Sequence, residues 1–375
     1  MAKHSQQNGQ SEATLCDTVR LNDFVAHPQI DVDGDALDDY LQSRTVLITG
    51  AGGSVGSELA AQLLHHTPQQ ILLADISEHN LYQLRRALSA PPATEITYSL
   101  SDVRDTNDMH RLFEQASPDV VVHAAAYKHV PLIEEQPIAG FKNNTLATAN
   151  LLDVSEAHAI EQFVLISTDK AVEPVSVLGA TKRLAEWLVR SVDTTFQTKV
   201  IRFGNVFGSR GSVVPLFTER LSRGESLPIT HPEMERYFMS AGNASRLILQ
   251  TLLLNEAPIY ALRMGEPIRI EWLARQMIRR FRPDADPDRL IEYTERRPGE
   301  KLSEQLIAPD ESGRPTTHPC IMGLHSDLPV SSEALRCCIE DLAGRPNTSV
   351  ADFRSALLHV KGATHNAFLA DVRGE

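Results

Sequence analysis

Two stretches of the chain carry residues that can do chemistry. In QFVLISTDKAVEPVSVLGATKR, Thr168, Asp169 and Lys170 stand side by side, and Lys182 follows twelve residues after Lys170. An adjacent carboxylate and amine place a proton donor and a proton acceptor at one point, each charge shifting the titration of the other. In TVLITGAGGSVGSEL, Gly50, Gly53 and Gly56 are spaced GxxGxxG between a strand-like and a helix-like run. Glycines there let the backbone turn tightly and approach a dinucleotide pyrophosphate. The helix opening near Ser54, through Val55 and Gly56, aims free N–H groups at the phosphates.

Asp75 ends the next apolar run, 19 residues past Gly56. A carboxylate there accepts from ribose hydroxyls and repels a 2′-phosphate, which favours NAD over NADP. The plainer alternative is that Asp75 caps the following helix. Asp102, after the third strand, suits the adenine amino group, or is a turn residue. Val103 and Ala124 complete the expected cofactor lining.

These residues need a frame. From Thr45 the pattern is strand, loop, helix, repeated: TVLIT, QILLAD, EITYSLSD, DVVVHAAA, QFVLIST and KVIRFGNVFG alternate with amphipathic runs. Near-continuous apolar strands between such helices imply an α/β fold, a Rossmann doubly wound parallel sheet covered on both faces. The fifth strand is expected to end at Ser167, which puts Thr168–Lys170 at its carboxyl end, where open parallel sheets bind ligands. Lys182 is expected to begin the next helix. The expected layout is an N-terminal extension over 1–43, a dinucleotide-binding domain over 44–206 plus about 235–260, a smaller C-terminal substrate-binding domain over 207–234 plus about 261–330, and helices over 331–375 packing on that smaller domain. The first twenty or so residues are polar and expected to be mobile.

The 375 residues are 42% hydrophobic and carry a formal net charge of −13, an ordinary globular composition that argues against a nucleic-acid or membrane-surface role. An anionic substrate needs only a few local Arg and Lys. Cys16, Cys320, Cys337 and Cys338 form no CxxC pair, so no metal site is expected, and Cys337 and Cys338 read as packing residues. The low cysteine count suits a reducing cytoplasm. The N-terminus lacks a signal-peptide core, and no run reaches the ~18 apolar residues of a membrane span.

The strip from Thr168 to Lys182 resembles that of extended short-chain dehydrogenases/reductases, in which a strand Ser/Thr and a YxxxK pair handle the proton that accompanies hydride transfer. Here the Tyr position, four before Lys182, is Leu178, which relays no proton. Asp169 and Lys170 are the suitable replacements.

More narrowly, GAGGSVGSEL, HAAAYKHVPLIEEQP, STDKAVEPVSVLGATKR, RFGNVFGSRGSVVPLF, HPEMERYFMS and RRPGEKLSEQL resemble the nucleoside-diphosphate-sugar 4,6-dehydratases of the polysaccharide-biosynthesis type, and within them the catalytic part of the configuration-retaining UDP-N-acetylglucosamine enzymes. Long members of that family also replace the Tyr. The resemblance implies resident NAD, a UDP-sugar substrate and a homo-oligomer, with a dimer expected. It implies oxidation at carbon 4, loss of water across carbons 5 and 6, and hydride return to carbon 6. Asp169 is then the acid, Lys170 the base, Thr168 the group on the 4-hydroxyl, and Lys182 the holder of the nicotinamide ribose. Lys128 and His129 in YKHVP should face the sugar, unless His129 is packing. Asn205, Arg210 and Ser212 resemble diphosphate and sugar contacts. Arg236 and Arg297 are expected on the nucleotide diphosphate, and Glu300 on a ribose or uracil group or in a local salt bridge. The alternatives are a nucleotide-sugar 4-epimerase, an inverting 4,6-dehydratase and, more remotely, a non-catalytic NAD-sensing protein.

Overall fold

The computed structural model describes residues 19–24, 30–89, 91–328, 331–344 and 349–359. The head of the chain read as mobile, Cys16 and residues 360–375 lie outside them.

The apolar runs form one nine-stranded sheet: β1 (Thr45–Thr49), β2 (Gln70–Asp75), β3 (Glu95–Leu100), β4 (Val120–His123), β5 (Gln162–Thr168), β6 (Gln197–Phe203), β7 (Ile259–Leu262), β8 (Ser312–Pro315) and β9 (Ile321–His325). Their order is β8-β9-β7-β6-β5-β4-β1-β2-β3. From β3 to β7 all pairs are parallel, while β9 joins β7 and β8 joins β9 in antiparallel sense. The strand order reverses between β1 and β4, which opens a crevice at the carboxyl ends of those strands. Side chains of β1 alternate between the two layers. Leu47 joins Phe113, Phe163 and Leu188 on one face, and Val46 and Ile48 join Leu59, Ile201 and Leu247 on the other. Each such fully buried side chain contributes about 1.5–3 kcal/mol of transfer free energy.

A smaller unit sits beside the sheet. Helices Val213–Arg223 and Ile270–Phe281 pack through Phe217, Leu221, Leu273 and Met277, and two short strand pairs tie their connections together.

Several expectations change. Residues 312–325 do not belong to the smaller unit; they extend the central sheet as β8 and β9. The helices Ser332–Ala343 and Val350–His359 do not pack on the smaller unit either. Leu335, Cys338, Ile339 and Phe353 join the sheet-face core with Leu184 and Leu188 of the helix Val177–Ser191. Cys338 is buried there, but Cys337 is exposed. β5 runs one residue further than expected, to Thr168. Lys182 does not begin its helix: Ser176 caps Val177–Ser191 by accepting from the Gly179 N–H, which puts Lys182 in the second turn.

Candidate active site

The glycine loop is built as an anion cradle. Gly50 has φ +67°, and a Cβ there would lie 2.6 Å from the Ala125 backbone; one on Gly56 would lie 2.4 Å from the Gly50 carbonyl. Both positions therefore require glycine. Gly53 stands at the N-cap of Ser54–Leu63 with no side chain capping it, so the first-turn N–H groups are left for a ligand. Asp75 is buried, and its carboxylate accepts from the N–H groups of Gly52 and Ser77, both at 2.8 Å. The helix cap itself is Ser77, not Asp75. Asp75, Asp102, Val103 and Ala124 border one recess of about 230 Å³. The Asp102 carboxylate is already gripped by the Arg104 guanidinium at 2.7–3.1 Å, whose hydrogen bonds hold it below the usual carboxylate range. Asp102 thus borders the recess as one half of an ion pair. These groups together fit a dinucleotide: donors at the pyrophosphate and a carboxylate at the ribose.

A larger cavity of about 730 Å³ continues from the same loop and is lined by Gly50, Ser54, Val55, Lys128, His129, Thr168, Lys170, Leu178, Lys182, Asn205 and Ser212. β5 ends at its floor, and a single 3-10 turn, Asp169–Ala171, carries the acid and the amine. Lys170 Nζ donates to Asp169 Oδ1 at 3.0 Å and to Asn205 Oδ1 at 3.2 Å, and Thr168 Oγ1 donates to the same Asp169 oxygen at 2.9 Å. Asp169 is fully buried beneath Lys170 and Thr168, and its Oδ2 takes no hydrogen bond among the described residues. A Cβ on Gly204, which lines the cavity, would stand 2.8 Å from that bare oxygen.

Lys182 is buried and has its amine pushed down to about 8 by burial, against the opposing charge of Glu186. Leu178 presents only hydrocarbon to the cavity. Its helix is held from behind by a single π turn, Lys142–Leu146, the kind of irregularity that gathers at functional sites. Asn144 in that turn donates to Thr181 Oγ1 and to the Tyr127 carbonyl and accepts from the Tyr127 N–H. Burial drives His123, at the end of β4, down to about 3, with the Lys182 charge adding to this. The imidazole is therefore neutral between Thr49 Oγ1 and Thr148 Oγ1.

The residues expected on the substrate divide. Lys128 and His129 line the cavity; burial lowers both, helped by the Arg210 charge on Lys128 and by Lys128 on His129. Ser212 Oγ is buried there and makes no hydrogen bond among the described residues. Arg210 points elsewhere: Nη1 donates to the Gly52 carbonyl at 3.1 Å and to Asn80 Oδ1 at 2.8 Å, and its backbone N–H donates to Ser54 Oγ. It clasps the glycine loop instead of reaching the sugar end. Arg236 is buried, and its guanidinium donates to the carbonyls of Glu235, Lys301 and Leu302, so it fastens a turn. Arg297 and Glu300 border a separate open recess with Lys301, where Glu300 accepts from the Arg297 N–H.

Sequence reasoning passed over Glu304. Its buried carboxylate lies 3.7 Å from Lys170 Nζ and 3.4 Å from Lys301 Nζ. Asn144, Thr181 and His123 were passed over too. The adjacent asparagines of KNNT and the lone histidine ending an apolar strand were the available signals.

The model of the polysaccharide biosynthesis protein family matches residues 46–326. The probable polysaccharide biosynthesis protein EpsC of Bacillus subtilis is 38% identical over 90% of this chain, and the chain spans 57% of that relative's length. A UDP-N-acetylglucosamine 4,6-dehydratase (inverting) of Campylobacter jejuni is 32% identical over 72% of this chain and 79% of its own. Among solved structures, Pen from Bacillus thuringiensis superposes with a TM-score of 0.70 at 28% identity, over 77% of this chain and 89% of its own. The chain belongs to the polysaccharide biosynthesis protein family and has the Rossmann-type fold of the extended short-chain dehydrogenases/reductases.

Proposed function

We propose that this chain is a configuration-retaining UDP-N-acetylglucosamine 4,6-dehydratase that works with resident NAD. The observation that carries this reading is the Lys170–Asp169 pair, 3.0 Å apart, at a cavity where Leu178 replaces the usual tyrosine. A 4-epimerase needs one proton relay at carbon 4; a dehydratase needs an acid and a base together at carbons 5 and 6. The 32% identity to a relative named as an inverting 4,6-dehydratase supports dehydration, while retention rests on the resemblance carried by the strip from Thr168 to Lys182.

NAD, when bound in the glycine loop and the Asp75 recess, supplies the hydride acceptor for carbon 4 and the hydride returned to carbon 6. The protein's residues do the rest. Thr168 Oγ1 polarises the 4-hydroxyl, and Lys182, which lines the same cavity, would hold the nicotinamide ribose. Moving one proton along the Nζ–Oδ1 hydrogen bond turns the Lys170–Asp169 ion pair into an amine and an acid. Lys170 then takes the proton from carbon 5, the carbon 6–oxygen bond breaks, and Asp169 protonates the departing hydroxide, so water leaves and the pair regains its charges. Oδ1, which receives the proton and lies against the cavity-lining Thr168 and Lys170, is the oxygen that gives it up.

Lys170→Ala tests the assignment. It should keep NAD through purification and form no 4-keto-6-deoxy sugar; full turnover by that variant sinks it.

A further inference from the structure

Glu304 is a buried carboxylate set between two lysines. The residue is 4% exposed, and its Oε2 takes no hydrogen bond among the described residues. A buried charge without hydrogen bonds is costly, and an apolar side chain would serve packing better. What holds Glu304 is a pair of ammonium groups, Lys170 at 3.7 Å from Oε1 and Lys301 at 3.4 Å from Oε2. Lys301 in turn donates to the Val172 carbonyl at 2.6 Å, two residues beyond Lys170. The segment from Lys301 to Glu304 therefore grips the turn after β5 twice, at the Lys170 side chain and at the Val172 backbone.

We propose that Glu304 is a positioning residue for Lys170, and that its pairing with Lys301 lets Lys170 give up a proton without leaving Glu304 unpaired. This rests on the dehydratase reading above. A lysine stem is long and flexible, and a base acts well only when its nitrogen is fixed. Asp169 and Asn205 fix it from two points. Asp169, however, loses its charge when the proton crosses from Lys170, so its hold weakens at the moment the amine must act. Glu304 does not take part in that transfer. It stays charged, stays neutralised by Lys301, and keeps the third contact on Nζ.

The test is steady-state kinetics of the NAD-loaded 375-residue chain and its Glu304→Gln and Glu304→Asp variants, using UDP-N-acetylglucosamine unlabelled, deuterated at carbon 4 or deuterated at carbon 5. In Glu304→Gln, kcat should fall about tenfold or more with KM changed by less than about threefold, the signature of a contact that matters in the transition state. The carbon-5 isotope effect should dominate and the carbon-4 effect should shrink, because only the elimination is slowed. Glu304→Asp should recover part of kcat. An unchanged kcat overturns the proposal, and so does a loss in which the carbon-4 effect does not shrink, since general damage to the fold slows both steps. A wild type that forms no 4-keto sugar overturns the dehydratase reading itself; an active wild type matched by Glu304→Gln overturns only the role of Glu304.

Discussion

A Cβ on Gly179 would stand 2.2 Å from the carbonyl oxygen of Lys170 and 3.0 Å from Pro174 Cβ. The first turn of the Lys182 helix is thus pressed directly on the turn that bears Asp169 and Lys170, and the distance between the two amines is set by backbone against backbone. Gly179→Ala must push the two apart. Overpacking of this kind costs about 1–3 kcal/mol, and turnover should fall at least as steeply as stability. Unfolding midpoints in urea and kcat, measured on the same preparation, check this. A variant with wild-type kcat would show that the contact does not set the site.

Lys182 makes a pH prediction. Its folded pKa, about 8, lies below its ordinary 10.5, so the unfolded chain binds more protons between those values and stability should rise with pH across that window. The penalty for a buried ammonium is complete below about pH 8 and gone above 10.5. Lys182→Met, which removes it, should raise the thermal midpoint relative to wild type at pH 7. That gain should shrink as the pH climbs through the window, while activity is lost throughout. Paired melts at pH 7 and pH 10 decide it.

Arg202 is buried between Glu186 and Glu311, with hydrogen bonds of 2.6–2.8 Å to both, and Ser167 of the catalytic strand donates to Glu186 at 2.6 Å. Burial pushes Glu311 up, but the hydrogen bonds and charge of Arg202 outweigh it and bring the carboxyl to about 2. Its folded pKa is depressed, so its contribution is present above about pH 4.5 and lost as the pH falls toward 2. Arg202→Met leaves two buried carboxylates with Arg183 as their one shared close cation among the described residues and should destabilise by about 3 kcal/mol at neutral pH. It should also flatten the acid limb of the stability curve in urea titrations between pH 2 and 5.

Arg210 closes over the glycine loop through Gly52 and Asn80. Arg210→Ala should therefore weaken NAD retention, by about tenfold or more for a lost charge-assisted hydrogen bond. Affinity for UDP alone should change little. Cofactor content after gel filtration and calorimetry with UDP separate the two; unchanged retention with weakened UDP binding would return Arg210 to the substrate end.

Much of this frame was legible because local pattern and tertiary role agree. The runs that became β1, β2, β4 and β5 have near-continuous apolar centres, as strands buried on both faces do, and the chemistry of Thr168–Lys170 is contiguous in sequence. β8 was illegible: SGRP is exposed, polar and ends in proline, so it reads as a loop and becomes a strand only because β9 lies beside it. The arginines misled for a related reason. A sequence shows that a guanidinium is present, not which acceptors the fold brings within its reach. Arg236 met backbone carbonyls and Arg210 met the glycine loop. Glu304 was missed because its partner Lys170 lies more than a hundred residues away, and no spacing rule spans that distance.

The dehydration itself is tested most directly by NMR of the NAD-loaded chain turning over UDP-N-acetylglucosamine in deuterated water. The expected product is a 4-keto-6-deoxy sugar nucleotide with solvent deuterium at carbon 5, the original configuration there, and the former carbon-4 hydrogen at carbon 6. Inverted configuration at carbon 5 would keep the dehydratase and overturn retention. A 4-epimer free of deuterium would contradict the roles given to Asp169 and Lys170.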